Sequence, residues 1–317
     1  RTKAIVELFS FTPYKIIMSG NPIPKSAEEI YAQYAFLDCG VFGTRYYDFR
    51  DKYFEVDYFN KVTSLKNPEE FYRKMHSIAF RRTKIECLDL PPKIYLTEEI
   101  EMYPEQHKVY LDMEKDALAS YQDTMCAAPV VITKMLRLSQ IAGGHFPGED
   151  GEPIPFHKNP KADRLLALLD EMSSKEQVVI WARFQAEIKH LEKIITKAGY
   201  KCASFHGETS FEDRNLVRQK FRDKQLQIFI SNPATGGRGL NDLVGANTVI
   251  YYSNDFSAEN RMQSEDRTHR KGTTGDKVTY IDLLMKRTID RVVLQVLKDN
   301  KDFSEMLLSR QVQFDLL

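Results

Sequence analysis

FISNPATGGRGLND (residues 229–242), VIYYSND (249–255) and ENRMQSEDRTHRKGT (259–273) together decide how this chain folds. The apolar run Leu226–Ile230 has the length and continuity of a buried parallel strand. It leads into Gly236-Gly237-Arg238-Gly239, where a backbone without side chains can turn sharply and approach a phosphate. Val249–Tyr252 gives a second strand. The polar segment after it carries Gln263, Arg267 and Arg270 at spacings of four and three, which share one face of a helix. Two permanently charged guanidiniums beside a glycine loop suit the stabilisation of charge on a phosphoryl group. Spacing alone leaves a second reading open, in which both arginines pair with Glu259, Glu265 or Asp266 on a solvated helix.

Strands and helices alternate around this stretch. A helix over 162–172, a strand over 178–182 and a helix over 185–198 precede a strand over 200–205 and a helix from Ser210 to Phe221. Gly199 stands where a helix stops. A strand over 278–283 and a helix over 288–298 follow. The alternation predicts a parallel sheet covered on both faces, with ligands gathered at the carboxyl ends of its strands. Upstream, a short strand is expected at Tyr14–Met18, ended by Ser19-Gly20-Asn21-Pro22. Helices are expected over 27–36, 68–80, 104–120 and 134–141, and extended chain over 94–101. The aromatics of residues 26–80 read as core and not as a stacking platform for bases. Residues 143–160, dense in Gly and Pro, read as a linker carrying two loop histidines, His145 and His157, with no metal site.

The composition sets limits. The 317 residues suit about two domains. Forty-five basic and 45 acidic residues balance, so any nucleic-acid site is a local patch and not a global field. Cys39, Cys87, Cys126 and Cys202 lie far apart without a CxxC pair, as reduced thiols in a cytoplasmic or nuclear setting do. No apolar run approaches the ~20 residues of a membrane span, and no secretory signal is visible. The chain begins with Arg1 and not Met, as a piece of a longer protein would.

The order GGRGLN (236–241), then Gln263, Arg267 and Arg270 as QxxxRxxR, resembles motifs V and VI of the Swi/Snf family of superfamily 2 helicases. Ser19-Gly20-Asn21-Pro22 is similar to that family's motif III, with Asn21 in place of a threonine. RRTK (81–84) and LPPK (90–93) match its signature in the helical insertion and inter-lobe linker, and the ending from Lys286 is similar to its closing brace. The resemblance implies an α/β fold: a RecA-like parallel-sheet second lobe over 161–317. Before it would come the tail of the first lobe (1–25), a Swi/Snf-type helical insertion and linker region (26–142), and the Gly/Pro linker (143–160).

The resemblance also assigns roles. Arg267 and Arg270 would reach the γ-phosphate of ATP, with Gln263, Gly239 and Asn241 at the nucleotide and Ser19, Gly20 and Asn21 coupling ATP to DNA. His206, Gly207, Asn232 and Arg183 would meet the DNA backbone. Pro233 stands where the family has a hydroxyl, and Trp181 stands at an unusual place and reads as core. An ion pair at the surface is the plainer reading of Arg183. No GxxxxGK[ST] occurs, GTTGDK (272–277) has the wrong spacing, and Asp170-Glu171 falls mid-helix. ATP and Mg²⁺ would therefore be held mainly by a first lobe preceding Arg1, and this chain alone would not hydrolyse ATP. The partner implied is double-stranded DNA, with a protein substrate on it and no membrane. A strand-separating or branch-migrating helicase is the rival enzyme, and a non-enzymatic DNA- or protein-binding module is the rival of another class.

Overall fold

A computed structural model describes residues 2–20, 22–23, 26–58, 60, 62–122, 128–148, 152–237 and 240–299. The chain divides into two compact units, Arg1–Cys87 and Leu88–Leu317.

The first unit holds α1 (Thr2–Leu8), a 3-10 turn (Ala27–Glu29), α2 (Ile30–Leu37), α3 (Cys39–Phe42) and α4 (Tyr46–Tyr53). The hairpin strands β1 (Phe54–Val56) and β2 (Val62–Leu65), then α5 (Pro68–Met75) and α6 (Lys84–Cys87), complete it. Its core is largely aromatic: Ile30, Tyr34, Phe42, Phe49, Tyr53, Phe54 and Phe71 pack together, with the Phe42 and Phe49 rings 5.1 Å apart edge to face. The expected strand at Tyr14–Met18 does not form. Residues 14–19 have no regular structure, Tyr14, Ile16 and Met18 are largely exposed, and no neighbouring strand pairs with them among the described residues.

The extended chain expected over 94–101, within the insertion and linker region, forms the first strand of the second unit. β3 (Lys93–Ile100) pairs in parallel with β10 (Val278–Met285) along its whole length and forms the edge of the main sheet. After α7 (Pro104–Gln122) and α8 (Ala128–Ala142) comes the expected linker, which instead folds as the hairpin β4 (His145–Pro147) and β5 (Pro153–Pro155). His145 is buried on this hairpin, so it is not a loop histidine, and burial followed by the His190 charge lowers its pKa to about 4.

The alternation then proceeds as the sequence foretells: α9 (Pro160–Glu171), β6 (Val178–Trp181), α10 (Gln185–Lys197), β7 (Cys202–Phe205) and α11 (Phe211–Arg222). Next come β8 (Ile228–Ser231), the single turn α12 (Pro233–Gly236), β9 (Thr248–Tyr251), α13 (Ala258–Thr268), β10 and α14 (Ile289–Lys298). The sheet order is β3-β10-β9-β6-β8-β7 with every pairing parallel.

Strand residues alternate between two cores. Val178, Ile180, Ile228, Ile230 and Ile250 face the cluster under α7–α10 and α14, whereas Val179, Trp181, Phe229, Val249 and Tyr251 face the other. Burial on both faces is why these strands read as unbroken apolar runs. The central strand β6 lies between β8 and β9, so the connection leaving β6 crosses one way and the connection reaching β9 the other. The loops after β6, β8 and β9 thus open at the switch point where such sheets take ligands.

Candidate functional site

Gly236 and Gly237 are called for by packing rather than by a sharp turn. Gly236 is buried, and a Cβ there would fall 2.5 Å from Ser231 Oγ and 2.8 Å from the Trp181 ring. A Cβ at Gly237 would fall 2.2 Å from the Pro233 carbonyl and 3.4 Å from Ser264 N on α13. Gly237 itself is right-handed, at φ −70°. The missing side chains let α12 and α13 approach closely. Arg238 and Gly239 lie outside the described residues.

Just beyond the glycines, the segment is bonded to α13. Arg267 donates through Nη1 to the Leu240 carbonyl (3.2 Å) and through Nε to the Gln263 carbonyl (3.1 Å). Arg270 donates through Nη1 to Asn241 Oδ1. Gln263 donates to Glu259 along its own helix (2.7 Å). Burial, and next the Arg270 charge, lower the Arg267 pKa against the pull of Asp266. Two half-buried guanidiniums thus lean on one segment and repel each other.

The opposite face of α13 is buried and polar: Arg261, Ser264, Glu265 and Thr268, at i, i+3, i+4 and i+7. Arg261 meets Asp282 of β10 twice (2.5 and 3.0 Å), Glu265 (2.8 Å) and Asn254 (2.8 Å), and its guanidinium lies 3.4 Å from the Tyr251 ring centroid. Glu265 accepts from Lys93 Nζ and Tyr95 Oη of β3, both at 2.8 Å. Burial alone would raise the Glu265 carboxyl, but Arg261 and Lys93 outweigh it and hold it below the ordinary carboxylate range. His269 hydrogen-bonds through Nε2 to the Pro91 carbonyl (2.8 Å).

At the neighbouring loops the expected contact residues turn inward. The Arg183 guanidinium stacks on Phe256, 3.9 Å from the ring centroid, and its Nη1 is buried without a hydrogen-bond partner among the described residues. It is not the exposed ion pair that the plainer reading expected. Asn232 caps α12 by accepting from Ala234 N (2.8 Å), and its amide donates to the Arg183 carbonyl. Both ends of the side chain are engaged. His206 N donates to Thr209 Oγ1 (3.0 Å), and its Nδ1 is buried without a partner among the described residues. Arg214 gathers the carbonyls of Thr209 (2.8 Å), Gly207 (2.8 Å) and His206 (3.2 Å). Glu187, under these loops, accepts from Ser253 Oγ (2.5 Å) and Phe184 N (3.2 Å). Ser19 and Gly20 belong to the first unit, where both are exposed, and Asn21 lies outside the described residues. Asp170 and Glu171 pair with Tyr200 and with Arg164 (2.8 Å), as a helix surface does.

The helicase conserved C-terminal domain family matches residues 160–272, and the SNF2-related domain family matches residues 2–142. The chain belongs to the Swi/Snf family. The chromodomain-helicase-DNA-binding protein 1-like of Danio rerio is 25% identical to it over 290 residues, 88% of this chain and 28% of that protein. The ATP-dependent helicase FUN30 of Saccharomyces cerevisiae is 34% identical over 142 residues, 44% of this chain and 12% of that protein. The Sulfolobus solfataricus SWI2/SNF2 ATPase core in complex with dsDNA shares the fold at a TM-score of 0.57 and 22% identity, over 92% of this chain and 62% of that one. The chain spans about a third or less of the length of its curated relatives.

In this Swi/Snf chain, motif V and motif VI therefore touch: Leu240 and Asn241 receive Arg267 and Arg270. Sequence reading missed Arg261, Glu265 and Lys93. The signal was present as a polar stripe at helical spacing, opposite the stripe that carries Gln263, Arg267 and Arg270.

Proposed function

We propose that this chain is the part of an ATP-driven double-stranded-DNA translocase or remodeller that presents Arg267 and Arg270 to the phosphates of ATP. The observation that carries the reading is the pair itself. Two half-buried guanidiniums, fixed to motif V, repel each other, and an anion between them would relieve that repulsion. A guanidinium placed in advance where charge develops lowers the barrier to phosphoryl transfer. Asn241 and Gln263 hold the arginines at that face, and Gly239 borders the nucleotide. Among the described residues no group of three or more His, Cys, Asp or Glu side chains could hold a metal ion. We place the Mg²⁺ that accompanies ATP, which takes one or two carboxylates together with the phosphates themselves, mainly with the phosphate cradle of the first lobe. This chain alone is proposed inert toward ATP.

For DNA, the loop 206–209 meets the phosphate backbone through His206 and Gly207, without reading sequence. Asn232 and Arg183 shape the adjoining loops from within. Ser19, Gly20 and Asn21 keep the coupling role that motif III implies. The protein works where DNA is, in nucleus or cytoplasm, and no helix among the described residues is long and apolar enough to cross a membrane.

The test is ATP hydrolysis by the complete protein with and without duplex DNA, beside Arg267→Ala. Duplex DNA should stimulate hydrolysis, and Arg267→Ala should lower kcat on the order of 10³-fold. Hydrolysis indifferent to both would overturn the motor and leave the non-enzymatic binding module standing.

A further inference from the structure

The end of α13 and the turn after it, which carry Arg267 and Arg270, are held by the first residues of the second unit. Glu265 stands two residues before Arg267 and on the opposite face of the helix. Its Oε2 receives Lys93 Nζ and Tyr95 Oη, both at 2.8 Å. His269, which caps the helix between Arg267 and Arg270, bonds to the Pro91 carbonyl at 2.8 Å. Pro92 continues the grip by accepting from Val278 N at 3.0 Å. The start of α13 is held by Arg261, which meets Asp282 of β10 and reaches Glu265 as well. Lys93 and Arg261 balance Glu265 and Asp282 in charge, so the loss of Lys93 leaves one buried negative charge uncompensated beneath Arg267.

We propose that Lys93, acting through Glu265, is a positioning residue for Arg267 and Arg270, and that LPPK (90–93) is the strap that fixes their helix end. The inference rests on the phosphate-facing reading of the two arginines. Lys93 touches no nucleotide. Its effect passes through the angle and depth of one helical turn, where a shift of about 1 Å in a catalytic group lowers a rate on the order of 100-fold.

The experiment measures kcat and KM for ATP at saturating duplex DNA in the complete protein carrying Lys93→Met, Lys93→Arg or Arg267→Ala. Lys93→Met should lower kcat by about 10- to 100-fold with KM little changed, the signature of an interaction realised in the transition state. Lys93→Arg, which keeps a cationic donor for Glu265, should restore most of the rate. Hydrogen exchange in Lys93→Met should quicken at residues 265–270 while the sheet stays protected. Wild-type kcat in Lys93→Met, beside loss in Arg267→Ala, overturns the positioning role and leaves the motor reading intact. Wild-type kcat in Arg267→Ala overturns both. Should Lys93→Met fail to fold, Tyr95→Phe is read in its place, because it removes the other donor to the same oxygen without a change of charge. A loss of about 3-fold in its kcat supports the strap, and wild-type kcat overturns it.

Discussion

Two neighbouring parts of the second unit use arginine in opposite ways. Arg267 on the outer face of α13 and Arg270 in the turn after it are half-buried, with the charge network of Arg261, Glu265 and Asp282 beneath the helix. At the loops after β6, β7 and β8, Arg183 and Arg214 turn inward, onto Phe256 and onto three carbonyls. One region spends its buried charges on holding a helix so that others can project. The other spends its charged side chains on holding loops. Residue type and spacing nominate an arginine, but its partners decide whether it is a tool or a support.

The sharpest break in this comparison is removal of the support under α13. Arg261→Ala leaves Asp282 and Glu265 buried with only Lys93 to offset them, which should destabilise the protein by about 3–5 kcal/mol. The double substitution Arg261→Met with Asp282→Leu removes both charges of the main pair and should recover much of that loss. Chemical denaturation of the three proteins decides it. A loss under about 1 kcal/mol in Arg261→Ala would mean the network is as weak as an exposed ion pair.

Arg214 tests the other side with a smaller effect. If it is a support, Arg214→Ala frees three carbonyls and should cost about 2 kcal/mol, with faster exchange at residues 206–209. The salt dependence of duplex binding by the complete protein should keep its slope. If Arg214 instead neutralises a phosphate, stability should hold while the slope falls by about 1.

Much of this was legible in the sequence because parallel strands buried on both faces must be continuously apolar, as Val178–Trp181 and residues 228–230 are. Motifs V and VI were legible because helical spacing puts Gln263 and Arg267 on one face. The extended chain over 94–101 was legible, but its place at the edge of the main sheet was not, because an edge strand half open to solvent mixes Lys93, Tyr95, Thr97 and Glu98 and carries no buried-strand pattern. The hairpin β4–β5 hid behind Gly and Pro, which mark tight turns as readily as linkers. The strand expected at Tyr14–Met18 had the right residues and no partner among the described ones. Inward-turned polar groups such as Asn232 and Arg183 are the least legible, since their direction is set by neighbours distant in sequence.

Glu187 gives the finest test of the loop side. It is fully enclosed: Gly143 leaves room for its Oε1, which has no hydrogen-bond partner among the described residues, and Ser253 and Phe184 donate to Oε2. Burial raises its pKa to about 7 against the opposing pull of Ser253 and Lys161, while Asp290 pushes it further up. Arg183, whose own charge is disfavoured by burial, faces it from the end of β6. The folded state therefore keeps a proton that the unfolded chain releases at ordinary carboxylate pH. The stability this contributes is full below that range and is lost as pH rises through it toward 7, at most about 1.4 kcal/mol per unit. Glu187→Gln keeps an acceptor for Ser253 and Phe184 and removes the titration, so its denaturation midpoint should fall less than that of the unaltered protein between pH 5 and pH 7. A gap between the two proteins that stays constant over that window would mean Glu187 is ionised throughout. In that case Arg183 and Glu187 form a buried ion pair, and the loop side rests on charge as α13 does.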